Sequence, residues 1–386
     1  MGEWIGRGRK ARRAYGFDEI ALVPGSVTIN PAEVDVRLQL GSREHPIPII
    51  AAAMDGVVDV AFAVAMGKLG GLAILNLEGI QTRYEDPAPP LKAIVEAPNE
   101  TVTALLQKIY QAPIKEELIG RRIEEIKAGG ALPVVSAIPQ RAERFGPIAQ
   151  EAGAGIFVVQ STVSTVRHVS SEYKLLELER FCSSMKVPVL VGNCVTYEVC
   201  LELLETGCSG LIIGVGPGAA CTTRGVLGLG VPQVTATVDA AAARDFFYKR
   251  AGRYVPIITD GGMSTGGEIC KALACGADGV IVGSAFARAH EAPGRGYHWG
   301  MATPHHNLPR GTRIHVGVTG SLEEILLGPA RLDDGSQNLV GALRTCMGAV
   351  GARSLKEFQL TEVVIAPAIK TEGKLFQKAQ NVGMGK

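Results

Sequence analysis

The amino-acid sequence predicts a (β/α)8 TIM barrel, and three observations carry that expectation. Eight short runs rich in Val and Ile recur along the chain, at 48–52, 72–75, 132–137, 155–160, 187–191, 210–214, 255–259 and 279–282. Several are almost continuously apolar, as parallel strands covered on both faces are. Helix-like segments separate them, and β and α units that alternate through short loops build a parallel sheet. The span 46–300 supplies the ~250 residues that such a barrel needs. A doubly wound open sheet is the alternative with the same alternation.

The elements follow in order. Residues 1–15 carry Arg7, Arg9, Lys10, Arg12 and Arg13 and read as a solvated basic tail. The short segment 17–24 stops at Pro24-Gly25. Helices are expected at 58–68, 119–128, 144–152, 172–185, 197–205, 234–250 and 268–274. The repeated endings Glu-Ala-Gly-Ala, Glu-Thr-Gly-Cys and Ala-Cys-Gly-Ala close three of them at a glycine. Further helices are expected at 322–327 and 339–350.

Composition narrows the function classes. The chain has 386 residues, 46% of them hydrophobic, enough for a large core. A net charge of +1 and 5% aromatic residues argue against a nucleic-acid or membrane-surface partner. No apolar run reaches the ~18 residues of a membrane span. The eight cysteines include no CxxC pair, which argues against zinc, and no signal peptide precedes them. Unpaired thiols in a reducing cytoplasm are expected.

A barrel gathers its chemistry at the C-terminal ends of its strands. There the sequence places Met54-Asp55, Gln160-Ser161-Thr162, Gly192-Asn193, Asp260-Gly261-Gly262 and Gly283-Ser284. Glycine amides after strands seven and eight offer N–H donors to a phosphate. Asp260 would repel a phosphate and suits ribose hydroxyls. Strand six opens into Gly214-Val215-Gly216-Pro217-Gly218-Ala219-Ala220-Cys221-Thr222-Thr223-Arg224. Cysteine in a glycine-rich loop is a candidate nucleophile, because amide dipoles stabilise a thiolate. The alternative is a small, inert core residue.

These residues resemble the IMP dehydrogenase and GMP reductase superfamily along nearly the whole chain. The likeness rests on Ala51-Ala52-Ala53-Met54-Asp55, Gly192-Asn193, the cysteine loop, Val231-Pro232-Gln233, Thr259-Asp260-Gly261-Gly262, Val282-Gly283-Ser284 and Glu291-Ala292-Pro293-Gly294. The form is similar to bacterial members without the regulatory CBS pair, since residues 77–130 are too short to hold it. The resemblance implies one catalytic domain: an arm at 1–45, the barrel at 46–300, an active-site flap at 301–320 and a C-terminal segment at 321–386. It implies oxidation of IMP to XMP with NAD through a thioimidate on Cys221, with Thr223 beside the reacting carbon. Met301 and Ala302 would hold the base, Asp260 the ribose, and Gly262, Gly283 and Ser284 the phosphate, with Met54 a further substrate-binding residue. Gln160, Ser161, Thr162 and Asn193 would line the nicotinamide side. Gly216, Gly218 and Cys221, with Glu372 and Gly373 from a neighbouring subunit, would hold potassium in a homotetramer.

This chain also departs from the family pattern. Gln160 stands where an aspartate is usual, Ala219 where a serine binds phosphate, and Lys374 where a glycine is usual. His298 replaces a phosphate-binding tyrosine, with Tyr297 available after a one-residue slip. The flap lacks the Arg-Tyr pair that activates water; Arg310 is the candidate base, with Arg313, His305 and His306 as rivals. Val316 takes the place of the glutamate that GMP reductases pair with the threonine, which counts against reductive deamination of GMP with NADPH. A non-catalytic purine-nucleotide binder is the third reading.

Overall fold

The computed structural model describes residues 2–172, 174–301, 312–366 and 373–385. Eight parallel strands close into one barrel. They are β1 (Ile49–Ala51), β2 (Leu72–Asn76), β3 (Val134–Ala137), β4 (Ile156–Gln160), β5 (Val189–Cys194), β6 (Gly210–Ile213), β7 (Ile257–Asp260) and β8 (Gly279–Val282). β8 pairs in parallel with β1 through Val280 and Ile49, which excludes the open sheet.

Side chains alternate across the barrel wall, as the pleat requires. Ile50, Ile74, Val158, Leu190, Ile212, Ile258 and Ile281 fill the interior. Their neighbours, such as Ile49, Leu75, Val159, Val191, Leu211 and Val280, join the outer core under the helices. That double burial is why these runs read as continuously apolar. Leu38 and Leu40 join the interior cluster. They come from a hairpin at the N-terminal end of the barrel, Leu38–Leu40 with Arg43–His45.

The outer layer holds α1 (Val60–Lys68), α2 (Glu116–Ala128), α3 (Pro139–Glu151), α4 (Leu178–Ser184), α5 (Tyr197–Glu205), α6 (Gln233–Ala251), α7 (Gly266–Ala274) and α8 (Leu339–Val350). Gly153, Gly207 and Gly276 follow α3, α5 and α7 with φ of +96°, +84° and +112°, so the glycine endings are left-handed caps.

Three expectations need correction. α3 starts at Pro139 rather than near 144, because proline is preorganised for the first helical position. α4 is shorter than 172–185; Ser170 Oγ accepts the Glu172 N–H, a local turn that competes with helix. The N-terminal arm is not a free tail. Glu3–Gly6 and Arg9–Ala11 form an antiparallel hairpin, and Arg12 donates to both Asp239 oxygens, at 3.1 and 2.6 Å. Tyr15 then exchanges hydrogen bonds with Thr235 on α6.

Two further helices, Ala88–Glu96 and Asn99–Ile109, lie in the crossover between β2 and α2. They pack against Trp299 in a separate apolar cluster. Trp299 ends a strand, Tyr297–Trp299, that pairs antiparallel with Arg313–His315.

Candidate active site

The loop after β6 opens with Gly214 at φ +146°. A Cβ there would lie 2.4 Å from the Asp260 carbonyl oxygen and 2.8 Å from Gln233 Nε2, so only glycine fits. Gln233, buried at the start of α6, donates to the carbonyls of Ile213 and Asp260, at 3.1 and 2.9 Å, and ties the ends of β6 and β7 together. Arg224 braces the loop from its other side by donating to the carbonyls of Val215 and Val231. Burial lowers the Arg224 pKa, and Cys221 acts in the opposite direction.

Between these braces stands Cys221, exposed to the mouth. The inert-core alternative therefore fails. Its Sγ donates to Thr223 Oγ1 at 3.2 Å, and Thr223 is only 3% exposed. Thr223 is the first residue of a short helix, Thr223–Leu227, so backbone geometry fixes its hydroxyl under the thiol. A reachable thiol on a fixed hydroxyl suits nucleophilic chemistry.

The turn after β7 packs on the same loop. Gly261 and Gly262 have φ of +79° and +77°, and each Cβ position faces Pro217, at 3.3 and 3.1 Å. The Gly261 N–H is spent on the Ile281 carbonyl, and Glu268 caps the N-terminus of α7 through Ser264 and Thr265. Gly262, Gly283 and Ser284 are the groups expected to donate to an anion. After β8, Gly283 lies against Met54, whose Sδ would be 3.0 Å from a Cβ there. The end of β1 therefore meets the cradle.

His298 Nε2 lies 3.1 Å from Ser284 Oγ. Burial pushes the His298 pKa down to about 4, so the ring is neutral near pH 7. Its Nδ1 is buried with no partner among the described residues. Tyr297 points the other way, because strand neighbours alternate; it stacks on His315 with ring centroids 4.4 Å apart. The one-residue slip does not occur.

Asp260 sits low in the mouth. Its Oδ2 accepts from Gln160 Nε2 at 3.0 Å and from Asn193 Nδ2 at 2.8 Å, and Gln160 also donates to Asn193 Oδ1 at 3.0 Å. Burial pushes the Asp260 pKa up to about 6, against the pull of those two amides. Two residues expected beside a nicotinamide are thus bonded to the residue expected beside a ribose. Ser161 and Thr162 follow at the rim, with Ser161 N–H on the Gly192 carbonyl at 2.9 Å.

Gly216 and Gly218 lie in the cysteine loop, and the Gly218 carbonyl accepts the Cys221 N–H at 3.0 Å. Gly373 caps the helix Lys374–Gln380, and no hydrogen bond among the described residues joins it to that loop. Among the described residues no cluster of His, Cys, Asp and Glu could hold a metal ion. Ala302, His305, His306, Arg310 and Glu372 lie outside the described residues. Arg313 is committed elsewhere: it donates to the Ile94 and Val95 carbonyls and to Asn99 Oδ1, and stacks 4.5 Å over Tyr297. Sequence reasoning assigned no role to Gln233, Arg224, Tyr110 or Trp299. Gln233 and Arg224 left a signal, as members of the motifs Val231-Pro232-Gln233 and Cys221-Thr222-Thr223-Arg224.

Fold and mouth together are those of a (β/α)8-barrel enzyme with a cysteine loop beside a glycine cradle. The chain belongs to the IMP dehydrogenase / GMP reductase family, whose domain model matches residues 14–374, and it is an oxidoreductase of that family. It is similar to an uncharacterized oxidoreductase of Mycobacterium leprae, 38% identical over 94% of this chain and 99% of the relative. The inosine-5'-monophosphate dehydrogenase of Cryptosporidium parvum is 30% identical over 88% of this chain and 89% of its own. The crystal structure of an IMP dehydrogenase/GMP reductase-like protein from Corynebacterium glutamicum superposes with a TM-score of 0.89 at 34% identity, covering 94% of this chain and 96% of that one. No helix among the described residues is long and apolar enough to cross a membrane.

Proposed function

We propose that the protein oxidises IMP to XMP through a covalent adduct on Cys221. The observation that carries this reading is the exposed Cys221 thiol on the buried Thr223 hydroxyl, in a loop that packs on the Asp260-Gly261-Gly262 turn. The Cys221 thiolate adds to C2 of the hypoxanthine ring, forming an S–C bond while an electron pair moves onto the ring. The hydride would leave C2 for NAD, which Gln160, Ser161, Thr162 and Asn193 would hold and which would supply the oxidising ring. Water then adds to C2 of the thioimidate, the S–C bond breaks with its electron pair on sulfur, and XMP is released.

Each candidate keeps a defined task. Thr223 orients the thiol. Asp260 accepts from the ribose, and Gly262, Gly283 and Ser284 hold the phosphate, with His298 fixing the Ser284 hydroxyl. Met54, Met301 and Ala302 border the base. Gln160, Ser161, Thr162 and Asn193 border the nicotinamide, and Arg310 activates water. Potassium would be held by carbonyl oxygens of Gly216, Gly218 and Cys221, with Glu372 and Gly373 of a neighbouring copy completing the site in a cytoplasmic homotetramer. The chain divides into an arm at 1–45, the barrel at 46–300, a flap at 301–320 and a C-terminal segment at 321–386.

The test is NADH formation from IMP and NAD, with and without potassium, beside NADPH consumption with GMP. We expect NADH to form with IMP. Cys221→Ala should lower kcat by about 10³-fold or more while nucleotide binding persists. NADPH oxidation by GMP alone would move the protein to the reductases, and binding without turnover would make it a regulator.

A further inference from the structure

Tyr110 closes the helix Asn99–Ile109, within the crossover between β2 and α2, yet it reaches the mouth. Its hydroxyl donates to Asp55 Oδ2 at 2.6 Å and accepts from the Trp299 indole N–H at 2.8 Å. Met301 Sδ lies 3.4 Å from the same oxygen. Asp55 is 1%, Tyr110 6% and Trp299 0% exposed, so solvent replaces none of these bonds. Asp55 Oδ2 also accepts the Ile80 N–H at 2.7 Å, from the start of the same crossover.

A second anchor lies on the returning strand. The Arg313 guanidinium donates to the Ile94 and Val95 carbonyls and, at 2.8 Å, to Asn99 Oδ1. These groups lie on or beside the two crossover helices. The antiparallel strands Tyr297–Trp299 and Arg313–His315 are therefore each fastened to one small helical pair.

We propose that Tyr110 is a positioning residue that sets Met54 and Met301 against the base of the bound nucleotide. The inference rests on the reading of Met54 and Met301 as base-side residues. Tyr110 acts through Asp55, the chain neighbour of Met54, and directly on Met301. One hydroxyl thus fixes two sides of the base subsite.

Tyr110→Phe tests this, because it keeps the ring and its packing and removes only the hydroxyl. Affinities for IMP and for inorganic phosphate are measured side by side, with the rate of Cys221 alkylation by iodoacetamide as a check on the loop. We expect the Kd for IMP to rise about tenfold, the worth of one buried hydrogen bond, while phosphate affinity and alkylation stay within about twofold. An unchanged Kd for IMP would overturn the proposal, as would equal losses for IMP and phosphate. Wild-type protein that binds phosphate and not IMP would overturn the underlying functional reading instead, and this inference with it. If Tyr110→Phe does not fold, Trp299→Phe breaks the same node from the other side. It should show the same split between IMP and phosphate.

Discussion

The mouth of the barrel is built in two ways. The side formed by the ends of β6, β7 and β8 is made of backbone: Gly214, Gly261 and Gly262 hold positive φ, and their Cβ positions face the Asp260 carbonyl or Pro217. The side formed by the crossover helices is made of large buried side chains, Asp55, Tyr110 and Trp299, joined by hydrogen bonds. The backbone-built side presents Cys221 and the expected anion donors from loops whose path the glycines fix. On the proposed reading, chemistry that tolerates little displacement sits on backbone, and recognition of the base rests on side chains whose loss is graded.

The sharpest way to break this contrast is Gly214→Ala. The new methyl meets the Asp260 carbonyl oxygen at 2.4 Å on a backbone with φ +146°. Strain and overpacking should cost about 2–4 kcal/mol of stability, read by denaturant titration, with turnover lost. A variant with wild-type stability would show that the loop is not held as described.

Thr223→Val comes next. It keeps the shape and removes the acceptor of the thiol hydrogen bond. We expect kcat to fall about 10²-fold with the KM for IMP near wild type. A rise in KM alone would make Thr223 a binding residue.

The smallest effect is in pH dependence. The Asp260 carboxyl titrates near 6, and a charged carboxylate accepts from ribose hydroxyls better than a protonated one. Affinity for IMP should therefore fall as the pH drops through about 6. The stability contribution has the opposite sign. The folded protein holds this proton more tightly than an unfolded carboxylate near 3.8, so this group's contribution grows as the pH falls from above 6 towards 3.8. Gln160→Ala removes a donor that favours the charged form, so the midpoint should move upward. A midpoint that stays in place would show that Gln160 does not tune Asp260.

How much of this was legible in the sequence follows the same division. The eight strands were visible because burial on both faces writes a local apolar run, and the cysteine loop because glycine-dense backbone leaves a local signature. Helix ends at Gly153, Gly207 and Gly276 were visible for the same reason. The side-chain constructions were not. Asp260 and Gln160 were each singled out, yet their bond joins residues 100 apart, and nothing local records it. Tyr110 and Trp299 are separated by 189 residues and read as ordinary core aromatics. The choice between Tyr297 and His298 needed the knowledge that both lie in a strand, whose alternation sends one to Ser284 and the other to His315. The N-terminal hairpin escaped because its partner, Asp239, lies 227 residues from Arg12.

The most direct test of the account is intact-protein mass spectrometry on enzyme quenched with acid during turnover of IMP and NAD. We expect a species heavier than the free protein by one IMP less two hydrogens, mapped by proteolysis to the peptide that contains Cys221 and absent from Cys221→Ala. NADH formation with no such species under rapid quench, or with the adduct on another cysteine, would contradict the covalent role given to Cys221.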